Sequence, residues 1–381
     1  MNLPLFTLLQ IAIGVRTSMG KWLDNEMWQE VFKQAKQQAL LGVTYGALEK
    51  LPKEERPPFA ILAQWFAMTQ KIEQMNSHLN VWCEKVEANF GREGFAACIL
   101  KGQGIAQLYP QPLRRQCGDI DVWLVPNDSL DAQREIKESL SVRRKKIVNY
   151  VQRFLPNEKP VYHHIDFNRT KDVSIEVHFT PSWMNHPCDN ARLQRWFTEQ
   201  SRTIFGKDSQ TTENTATNFT TPTTAFNMVY VLLHIYRHIF NEGVGLRQVM
   251  DYYFVVKNFM EHASDEDCKR LIEDLKRLHL FSFSQAVMYV LEKVFALPRA
   301  TMPCEPDEIK GEFLLQEILR AGNFGQHDER LNLNFSNGSW QAFIVRSKRN
   351  LRFIKHYPRE VIFSPLFKLW HQSWLRWNRW N

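Results

Sequence analysis

Asp119 and Asp121, two aspartates separated by one apolar residue, are the residues whose type and spacing most directly suggest chemistry. They open an apolar segment that predicts a β-strand. Because side chains alternate across a strand, both carboxylates point to one side, while Ile120, Val122 and Leu124 point into a core. Neighbouring carboxylates repel each other unless a cation or water screens them. Oxygen ligands this close suit Mg2+ or Mn2+, although the same pattern also occurs on the solvent side of ordinary strands.

A lysine and two glycines lie just before this strand. An apolar run at residues 96–100 leads into Lys101, Gly102 and Gly104, and a short apolar segment at residues 105–108 follows. The pattern predicts a strand, a glycine-containing turn and a short helix. Glycines let backbone N–H groups approach a phosphate, and a lysine ammonium and a helix N-terminus both attract an anion. The turn matches neither GxGxxG nor GxxxxGKS/T, so the sequence carries neither the dinucleotide nor the P-loop fingerprint.

Two later segments, residues 161–167 and 173–179, each offer a third carboxylate. Both alternate apolar and polar residues and therefore predict strands with one polar face. The polar faces consist of Tyr162, His164 and Asp166 in the first segment and Ser174, Glu176 and His178 in the second. Either Asp166 or Glu176 could complete a three-carboxylate metal site with the two aspartates. The cleaner alternation of residues 173–179 favours Glu176.

This order of a strand, a glycine-containing turn, a Gly-Asp-x-Asp strand and a later acidic strand resembles the nucleotidyltransferase superfamily with the DNA polymerase β-like palm. More narrowly, about residues 25 to 255 resemble the bacterial proteins grouped as uncharacterised nucleotidyltransferases. The residues that carry the resemblance are Leu100-Lys101-Gly102, Leu108-Tyr109-Pro110, Arg115, Gly118-Asp119-Ile120-Asp121 and Gly245-Leu246-Arg247-Gln248 with Asp251. One departure is Gln103, which separates Gly102 from Gly104 where the superfamily turn usually has Gly-Gly or Gly-Ser.

The resemblance implies an α+β fold, in which a small mixed β-sheet is flanked by N-terminal helices and a C-terminal helical region. It also implies an enzyme that uses Mg2+ or Mn2+ to move the NMP group of an NTP such as ATP to an acceptor hydroxyl, with release of pyrophosphate. The implied catalytic and metal-binding residues are Asp119, Asp121 and Glu176. The implied nucleotide-binding residues are Lys101, Gly102, Gln103, Gly104, Arg115 and Gly118. The acceptor stays open between a small molecule, a protein side chain and an RNA end.

Other interpretations of these residues stay open. Arg115 could contact a phosphate or anchor its own loop. The chain could also bind a nucleotide or a partner on the same fold without turnover, although such a protein has no need to keep mutually repelling acids. A third interpretation is a metal-dependent phosphohydrolase, which would release orthophosphate or a monophosphate without modifying an acceptor.

Composition divides the chain into four regions. They are an N-terminal helical region (1–90), a catalytic domain (91–207), a Thr-rich loop (208–224) and a C-terminal helical region (225–381). Apolar residues at helical spacing predict one long helix over about residues 59–90. In the catalytic domain we expect a helix at 130–140 and a strand at 147–155 that forms a hairpin with residues 161–167. Between them, the basic cluster 143–146 is either a solvated turn or a contact for nucleic acid or polyphosphate.

Two pairs of polar residues in the C-terminal region lie four positions apart, so each pair shares a helix face. His234 and His238 could bind zinc, but the HExxH glutamate is missing and no third ligand can be named. Buried histidines with hydrogen-bond partners are the simpler interpretation. Arg247 and Asp251 are expected to form a local ion pair.

Positive charge concentrates at the end of the sequence. The net charge is +7, and residues 346–381 contain nine lysines and arginines against one acidic residue, Glu360. The same segment contains four tryptophans at helical spacing, namely Trp370, Trp374, Trp377 and Trp380. Residues 366–381 are therefore expected either to dock their indoles on the protein or to contact a partner or an anionic membrane surface.

Composition also bounds the class of protein. With 381 residues, 44% of them hydrophobic, the chain can bury a sizeable core, so disorder is not expected. The chain has no run of about 18 consecutive apolar residues, so no membrane span is expected. Residues 3–15 are apolar but lack the charged start and cleavage site of a signal peptide. The six cysteines form no C-x-x-C pair, which is typical of reduced thiols, and we expect a cytoplasmic protein.

Overall fold

The structure is a computed structural model that describes residues 3–206, 218–323 and 340–380, with only the backbone of residues 340–342 and 377–380. Helices predominate, and the strands in these ranges form one small mixed sheet, so the predicted α+β fold class is confirmed. The N-terminal half contains α1 (Pro4–Ala12), α2 (Asn25–Gln37), α3 (Leu41–Lys50), α4 (Phe59–Arg92), β1 (Phe95–Ile99), α5 (Gln103–Ala106), β2 (Ile120–Pro126), α6 (Leu140–Gln152), β3 (His164–Asp166) and β4 (Ile175–His178). The C-terminal half contains α7 (Pro187–Phe205), α8 (Thr224–Asn241), α9 (Leu246–His262), α10 (Asp265–Arg277), α11 (Phe281–Phe295), α12 (Glu308–Ala321), α13 (Trp340–Asn350) and α14 (Pro358–Trp380).

Helix α4 connects the N-terminal helices to the sheet. Its buried residues recur every three or four positions along 34 residues, as one amphipathic helix face requires, and the predicted long helix is confirmed. Near its start, Trp65 and Ile72 pack into the core that includes helices α1 to α3. Near its end, Cys83 and Phe90 pack against one face of the sheet. The helix therefore fixes the sheet relative to the N-terminal helices.

The sheet has the strand order β1-β2-β4-β3. β1 and β2 are antiparallel, β2 and β4 are parallel, and β4 and β3 are antiparallel, so the predicted mixed sheet is confirmed. In the parallel pair, Asp121 lies opposite Glu176, and in the next pair Glu176 lies opposite Asp166. Residues that lie opposite each other in neighbouring strands point to the same face. The three acids therefore share one side of the sheet.

Both faces of the sheet are covered by other elements. Ile120 and Leu124 point into the core under α4 and α6, as the alternation predicted. The opposite face carries Asp121 and Trp123, and the indole of Trp123 stacks on Phe226 of α8 at a ring-centroid distance of 6.1 Å. Asp121 is only 2% exposed. The Asp-x-Asp pattern therefore does not lie on the solvent side of an ordinary strand.

Two predictions for the stretch between β2 and β3 are wrong. Instead of a helix, residues 130–140 contain a β-bridge between Leu130 and Ile136. Instead of a strand, residues 147–155 belong largely to helix α6, which begins after Ser139 and is capped by its hydroxyl. The predicted hairpin between this segment and β3 therefore does not form.

Burial explains why α6 is a helix. Ile147, Tyr150 and Val151 face the core at helical spacing, although the β-branched side chains favoured a strand by composition. The predicted basic cluster lies in the first turns of the same helix. Arg143 of that cluster is buried and donates a hydrogen bond to the carbonyl of Phe179 at 2.9 Å. The interpretation of this cluster as a solvated turn is therefore wrong.

The N-terminal and C-terminal helices share one hydrophobic core. Buried side chains of α8, α9 and α11 join those of α1 and α3 in a single cluster. This packing places α8 and α9 over the face of the sheet that carries Asp121. The division of the chain into four regions stays a prediction.

The predicted Thr-rich loop lies mostly outside the described residues. In its described part, the carbonyl of Thr220 accepts a hydrogen bond from the Ile99 N–H at 2.9 Å, next to β1. The hydroxyl of Thr223 then caps α8 by accepting a hydrogen bond from the N–H of Phe226.

None of the helices in the described ranges combines the length and apolar character needed to cross a membrane. All six cysteines are free thiols, as the sequence predicted.

Helix α14 docks on the protein through aromatic side chains. The ring of Phe367 meets the ring of Tyr162 edge-on at a centroid distance of 5.5 Å. The guanidinium of Arg144 lies 5.0 Å from the ring centre of Trp374, within the range of a cation–π contact. The predicted docking of the tail is therefore observed for Trp374.

The rest of α14 leaves the second interpretation of the tail open. Its exposed apolar side chains are Ile362, Leu366, Leu369 and Trp370. The predictions for Trp377 and Trp380 lie outside the described side chains. Contact of residues 366–381 with a partner or a membrane surface stays a prediction.

Glu360 of α14 is buried and makes stability depend on pH. Its carboxylate accepts a hydrogen bond from Asn185 and interacts with Arg237, Lys368 and Asp189. Burial raises the pKa of Glu360, whereas the hydrogen bond from Asn185 and the charges of Arg237 and Lys368 lower it. The effect of burial is larger, so the pKa rises to about 7. In the unfolded chain the pKa returns to about 4.3, so the folded state binds the proton more tightly. This contribution to stability is complete below the unfolded pKa and is lost as the pH rises through 7.

Glu360→Gln is therefore expected to differ little from the wild type at about pH 5 and to be more stable by about 1–3 kcal/mol at about pH 8. Glutamine keeps the oxygen that accepts from Asn185 but never carries the charge. Urea denaturation at the two pH values measures the difference. Glu266→Gln, at an exposed side chain, serves as the control. An equal effect of Glu360→Gln at both pH values would show that Glu360 does not titrate in this range.

Candidate active site

A pocket lies where the turn after β1, the start of β2 and helices α8 and α9 meet. Its volume is about 510 Å3, including its open mouth. Residues that line it include Lys101, Gly102, Arg115, Gly118, Asp119, Asp121, Tyr230, His234, Arg247 and Asp251. All of these except Tyr230 are residues that the sequence singled out, so segments far apart in the chain form one concave site.

Three carboxylates converge beside this pocket. One oxygen from each of Asp119, Asp121 and Glu176 lies within 4.8 Å of the others. The parallel pairing of β2 with β4 brings Asp121 next to Glu176, and Asp119 immediately precedes β2. Asp166 faces Glu176 from β3 but does not belong to this group. Of the two acids that the sequence left open, the structure therefore brings Glu176 to the aspartates.

Asp121 is held by two basic side chains. Its Oδ1 accepts a hydrogen bond from Nε2 of His178 at 2.9 Å and lies 3.2 Å from Nζ of Lys101. Burial raises the pKa of Asp121, but the charge of Lys101 and the hydrogen bond from His178 outweigh burial and hold the pKa below its usual value. Asp121 is therefore an anion at neutral pH.

The second oxygen of Asp121 is unsatisfied. Oδ2 is buried and has no hydrogen-bond partner among the described residues. Leaving a buried carboxylate oxygen without a partner is costly, and a divalent cation satisfies such an oxygen. Together with the oxygens of Asp119 and Glu176, this atom makes an all-carboxylate ligand set. The set fits Mg2+ or Mn2+.

Histidines on β3 and β4 surround these acids. Besides its contact with Asp121, Nε2 of His178 lies 3.4 Å from Oε2 of Glu176. Burial lowers the pKa of His178, but the hydrogen bonds to the two acids raise it to about 9. Burial and the neighbouring charge of His178 lower the pKa of His164 to about 4. The sequence placed both histidines on the polar faces of their strands but gave them no role, because the pairing of the strands was unknown.

Lys101 faces the acids as well as the pocket. Burial lowers the pKa of its ammonium, but Asp121, Asp119 and Glu176 raise the pKa above its usual value. The side chain is 21% exposed, so the charge is accessible from the pocket. Lys101 therefore supplies a cation between the carboxylates and any anion that enters.

The predicted glycine turn serves backbone geometry and packing. Gly102 has φ of 60° and ψ of −107°, a conformation that only glycine adopts readily. A Cβ at Gly104 would lie 2.8 Å from Cγ2 of Thr221. The amide of Gln103 is buried and donates a hydrogen bond to Oδ1 of Asn80 on α4 at 2.7 Å. Gln103 therefore anchors the turn to α4, and the helix that follows has only four residues.

Gly102→Ala is expected to destabilise the protein by about 1–3 kcal/mol, because an L-residue is strained at this φ and ψ. The added Cβ would meet only the carbonyl oxygen of Asp119, at 3.6 Å, so the penalty is conformational rather than steric. Gly91→Ala, near the end of α4, has ordinary φ and no neighbour within 4 Å. This control is expected to be neutral or slightly stabilising. Equal unfolding free energies for the two variants would contradict the prediction.

Arg115 anchors the loop before the acids. Its Nε and Nη2 donate hydrogen bonds to Oδ1 and Oδ2 of Asp251 at 2.7 and 2.8 Å. The hydroxyl of Tyr109 donates to Oδ1 of Asp251 at 2.7 Å. Arg247 donates to the carbonyl of Gln116 at 3.2 Å. Of the two interpretations of Arg115, these contacts favour the anchor. They also correct the prediction for Asp251, whose observed ion pair is with Arg115, far away in the sequence.

His234 lines the pocket from α8. Burial lowers its pKa well below the usual value, so the ring is neutral at physiological pH. It packs against His238 at a ring-centroid distance of 4.2 Å. Within the described ranges, the groups of side chains arranged to hold a metal ion do not include these two histidines. The zinc interpretation therefore has no support from the geometry.

The model of the uncharacterised nucleotidyltransferase family matches residues 24–296 of this chain. The match runs from the start of α2 to the end of α11 and contains the whole pocket and the sheet. A comparison with curated proteins gave no match, and a comparison with solved structures gave none either.

Proposed function

Because the chain belongs to the uncharacterised nucleotidyltransferase family, we propose that it is a metal-dependent nucleotidyltransferase. In the proposed reaction an acceptor hydroxyl attacks the α-phosphorus of an NTP. A new oxygen–phosphorus bond forms, the bond from the α-phosphorus to the bridging oxygen breaks, and pyrophosphate leaves. The observation that carries the proposal is the convergence of Asp119, Asp121 and Glu176 beside a concave pocket that Lys101 also lines.

Asp119, Asp121 and Glu176 would hold the metal ion, Mg2+ or Mn2+. Such an ion, when bound, neutralises the charge of phosphate oxygens. The support for this assignment is the buried Oδ2 of Asp121, which has no hydrogen-bond partner among the described residues. Asp166, in contrast, lies outside the group of converging oxygens.

Lys101 would bind the triphosphate. Its ammonium lies at the boundary between the acids and the pocket, 3.2 Å from Oδ1 of Asp121. Gly102 leaves the backbone beside it free of a side chain, so a phosphate can approach closely. Gly118, which precedes Asp119, also lines the pocket. Arg115 would act on the nucleotide only indirectly, because its guanidinium already binds Asp251.

Glu176 would accept a proton during the reaction, and His178 would position the neighbouring acids. Glu176 is the carboxylate that would accept the proton of the acceptor hydroxyl. His178 would orient Asp121 and Glu176, since its Nε2 lies 2.9 Å from the first and 3.4 Å from the second. Holding both acids in fixed positions lowers the cost of ordering them during the reaction.

A second candidate function is nucleotide binding without turnover. The observation that favours it is the neutralisation of Asp121 by His178 and Lys101, since acids held in this way are stable without a metal ion. A protein of this kind would be stabilised against heat by an NTP but would form no product.

One experiment separates these candidates. The protein is incubated with each NTP labelled at the α-phosphate, with Mg2+ or Mn2+, and with a cell extract as the source of acceptors. Labelled acceptor together with pyrophosphate supports the transferase, and mass spectrometry then identifies the acceptor as a small molecule, a protein or an RNA. Orthophosphate or monophosphate without labelled acceptor indicates a phosphohydrolase. Thermal stabilisation by the NTP without any product indicates the binding protein.

A further inference from the structure

A second group of metal-ligand side chains lies beside the three carboxylates. One potential ligand atom from each of His164, Glu176 and His178 lies within 4.8 Å of the others. The group shares Glu176 with the carboxylate site but otherwise uses different residues. Its two imidazoles give it a different chemistry from the all-carboxylate set.

The sheet fixes the positions of these three residues. His164 lies directly opposite His178 in the antiparallel pairing of β3 and β4, and Glu176 lies two residues before His178 on the same strand. All three side chains therefore project from one face. Their side chains are between 4% and 27% exposed, so the surrounding protein limits their movement. A ligand set held by paired strands is preorganised for an ion.

The histidines have the surroundings that metal ligands need. Metal-binding imidazoles usually use their second nitrogen for a hydrogen bond that orients the ring. The Nδ1 of His164 and the Nε2 of His178 face Glu176, at 3.7 and 3.4 Å from its Oε2. The second nitrogen of His164, Nε2, lies 3.6 Å from Oδ1 of Asp166. The Nδ1 of His178, in a residue that is 3% exposed, is buried without a hydrogen-bond partner among the described residues.

Ligand chemistry identifies the class of ion. Magnesium prefers oxygen ligands, whereas imidazole suits first-row transition metals, and two histidines with one carboxylate leave positions open for other ligands. We propose that His164, Glu176 and His178 form a second metal position that takes a divalent first-row transition ion in preference to Mg2+. Glu176 would contact both metal positions, so this inference deepens the proposed function. Only a catalytic role of the second ion rests on the proposed function.

Metal binding can be measured without any nucleotide. The metal-free full chain is titrated with Mn2+ in excess Mg2+, and free Mn2+ is followed by electron paramagnetic resonance. The wild type is expected to retain one Mn2+ per chain, and pulsed measurements are expected to show coupling to imidazole nitrogen. His164→Gln is expected to weaken Mn2+ binding by at least about tenfold. His279→Gln, at a histidine with a 42% exposed side chain, is the matched control and should bind as the wild type does.

The outcomes separate this inference from the proposed function. Asp119→Asn removes a ligand of the carboxylate site alone, so it should keep the Mn2+ that survives excess Mg2+. Complete displacement of Mn2+ by Mg2+, unchanged binding in His164→Gln, or absence of nitrogen coupling in the wild type overturns the second position. The last measurement needs no variant and so does not depend on the folding of His164→Gln. Mn2+ binding without nucleotidyl transfer would reject the proposed function but leave the metal position standing.

Discussion

Asp119→Asn is expected to lower nucleotidyl transfer by about a thousandfold while the protein stays folded. Asparagine keeps the shape of the side chain but loses the charge that a divalent ion requires. Asp119 lies just before β2 and is only partly buried at the edge of the pocket, so the exchange leaves the core intact. The initial rate of transfer from an NTP labelled at the α-phosphate measures the effect, and circular dichroism and the melting temperature establish that the variant is folded.

Asp166→Asn is the matched control for this experiment. It makes the same chemical change on the same face of the sheet, at an acid that faces Glu176 but does not converge with the aspartates. Transfer by this variant should stay close to the wild-type rate. If Asp119→Asn retains its activity, or if Asp166→Asn loses as much, the assignment of the three acids is wrong.

Much of the candidate site follows from alternation along single strands. The sequence alone placed Asp119 and Asp121 on one side of a strand and identified Ile120, Val122 and Leu124 as core residues, and the structure confirms this core. These assignments could be made from the sequence because the two-residue period of a strand is a local property. The long helix α4 could be predicted for the same reason, since its buried face repeats over many turns.

The convergence of the acids could not be predicted from local sequence in the same way. Asp121 meets Glu176 because β2 and β4 are parallel neighbours, although 54 residues of chain that include α6 and β3 separate the two acids. Clean alternation in residues 173–179 favoured Glu176 over Asp166 but gave no information on which strands pair. The roles proposed for His164 and His178 depend on the same pairing, so the sequence alone assigned no role to either histidine.

Other differences arose where burial overrides local preference. In α6, Ile147 and Val151 have β-branched side chains that favour strands, yet their spacing with Tyr150 matches a buried helix face. At the glycine turn, the side-chain amide of Gln103 donates a hydrogen bond to Asn80 of α4, a contact that the local sequence did not reveal, and nucleotide binding by Gln103 stays a prediction. Contacts between segments far apart in the sequence decide both cases.

Asp251→Ala is expected to reduce the free energy of unfolding by about 3–5 kcal/mol, the usual cost of removing one partner of a buried ion pair. The side chains of Arg115 and Asp251 are 6% and 7% exposed, and the guanidinium makes two hydrogen bonds to the carboxylate. Without Asp251, the charge of Arg115 stays buried without its anion, and Tyr109 loses the acceptor of its hydroxyl. Urea denaturation at neutral pH measures the loss.

Two further variants test whether the ion pair or the hydrogen bond carries this stability. Tyr109→Phe removes one hydrogen bond to Asp251 and should cost about 1 kcal/mol. Arg270→Ala breaks an ion pair with Glu266 whose side chains are 69% and 62% exposed, and it should cost less than about 0.5 kcal/mol. The expected order of destabilisation is therefore Asp251→Ala, then Tyr109→Phe, then Arg270→Ala. An Asp251→Ala variant as stable as Arg270→Ala would mean that other contacts hold the loop leading to Asp119, such as the hydrogen bond from Arg247 of α9 to the carbonyl of Gln116.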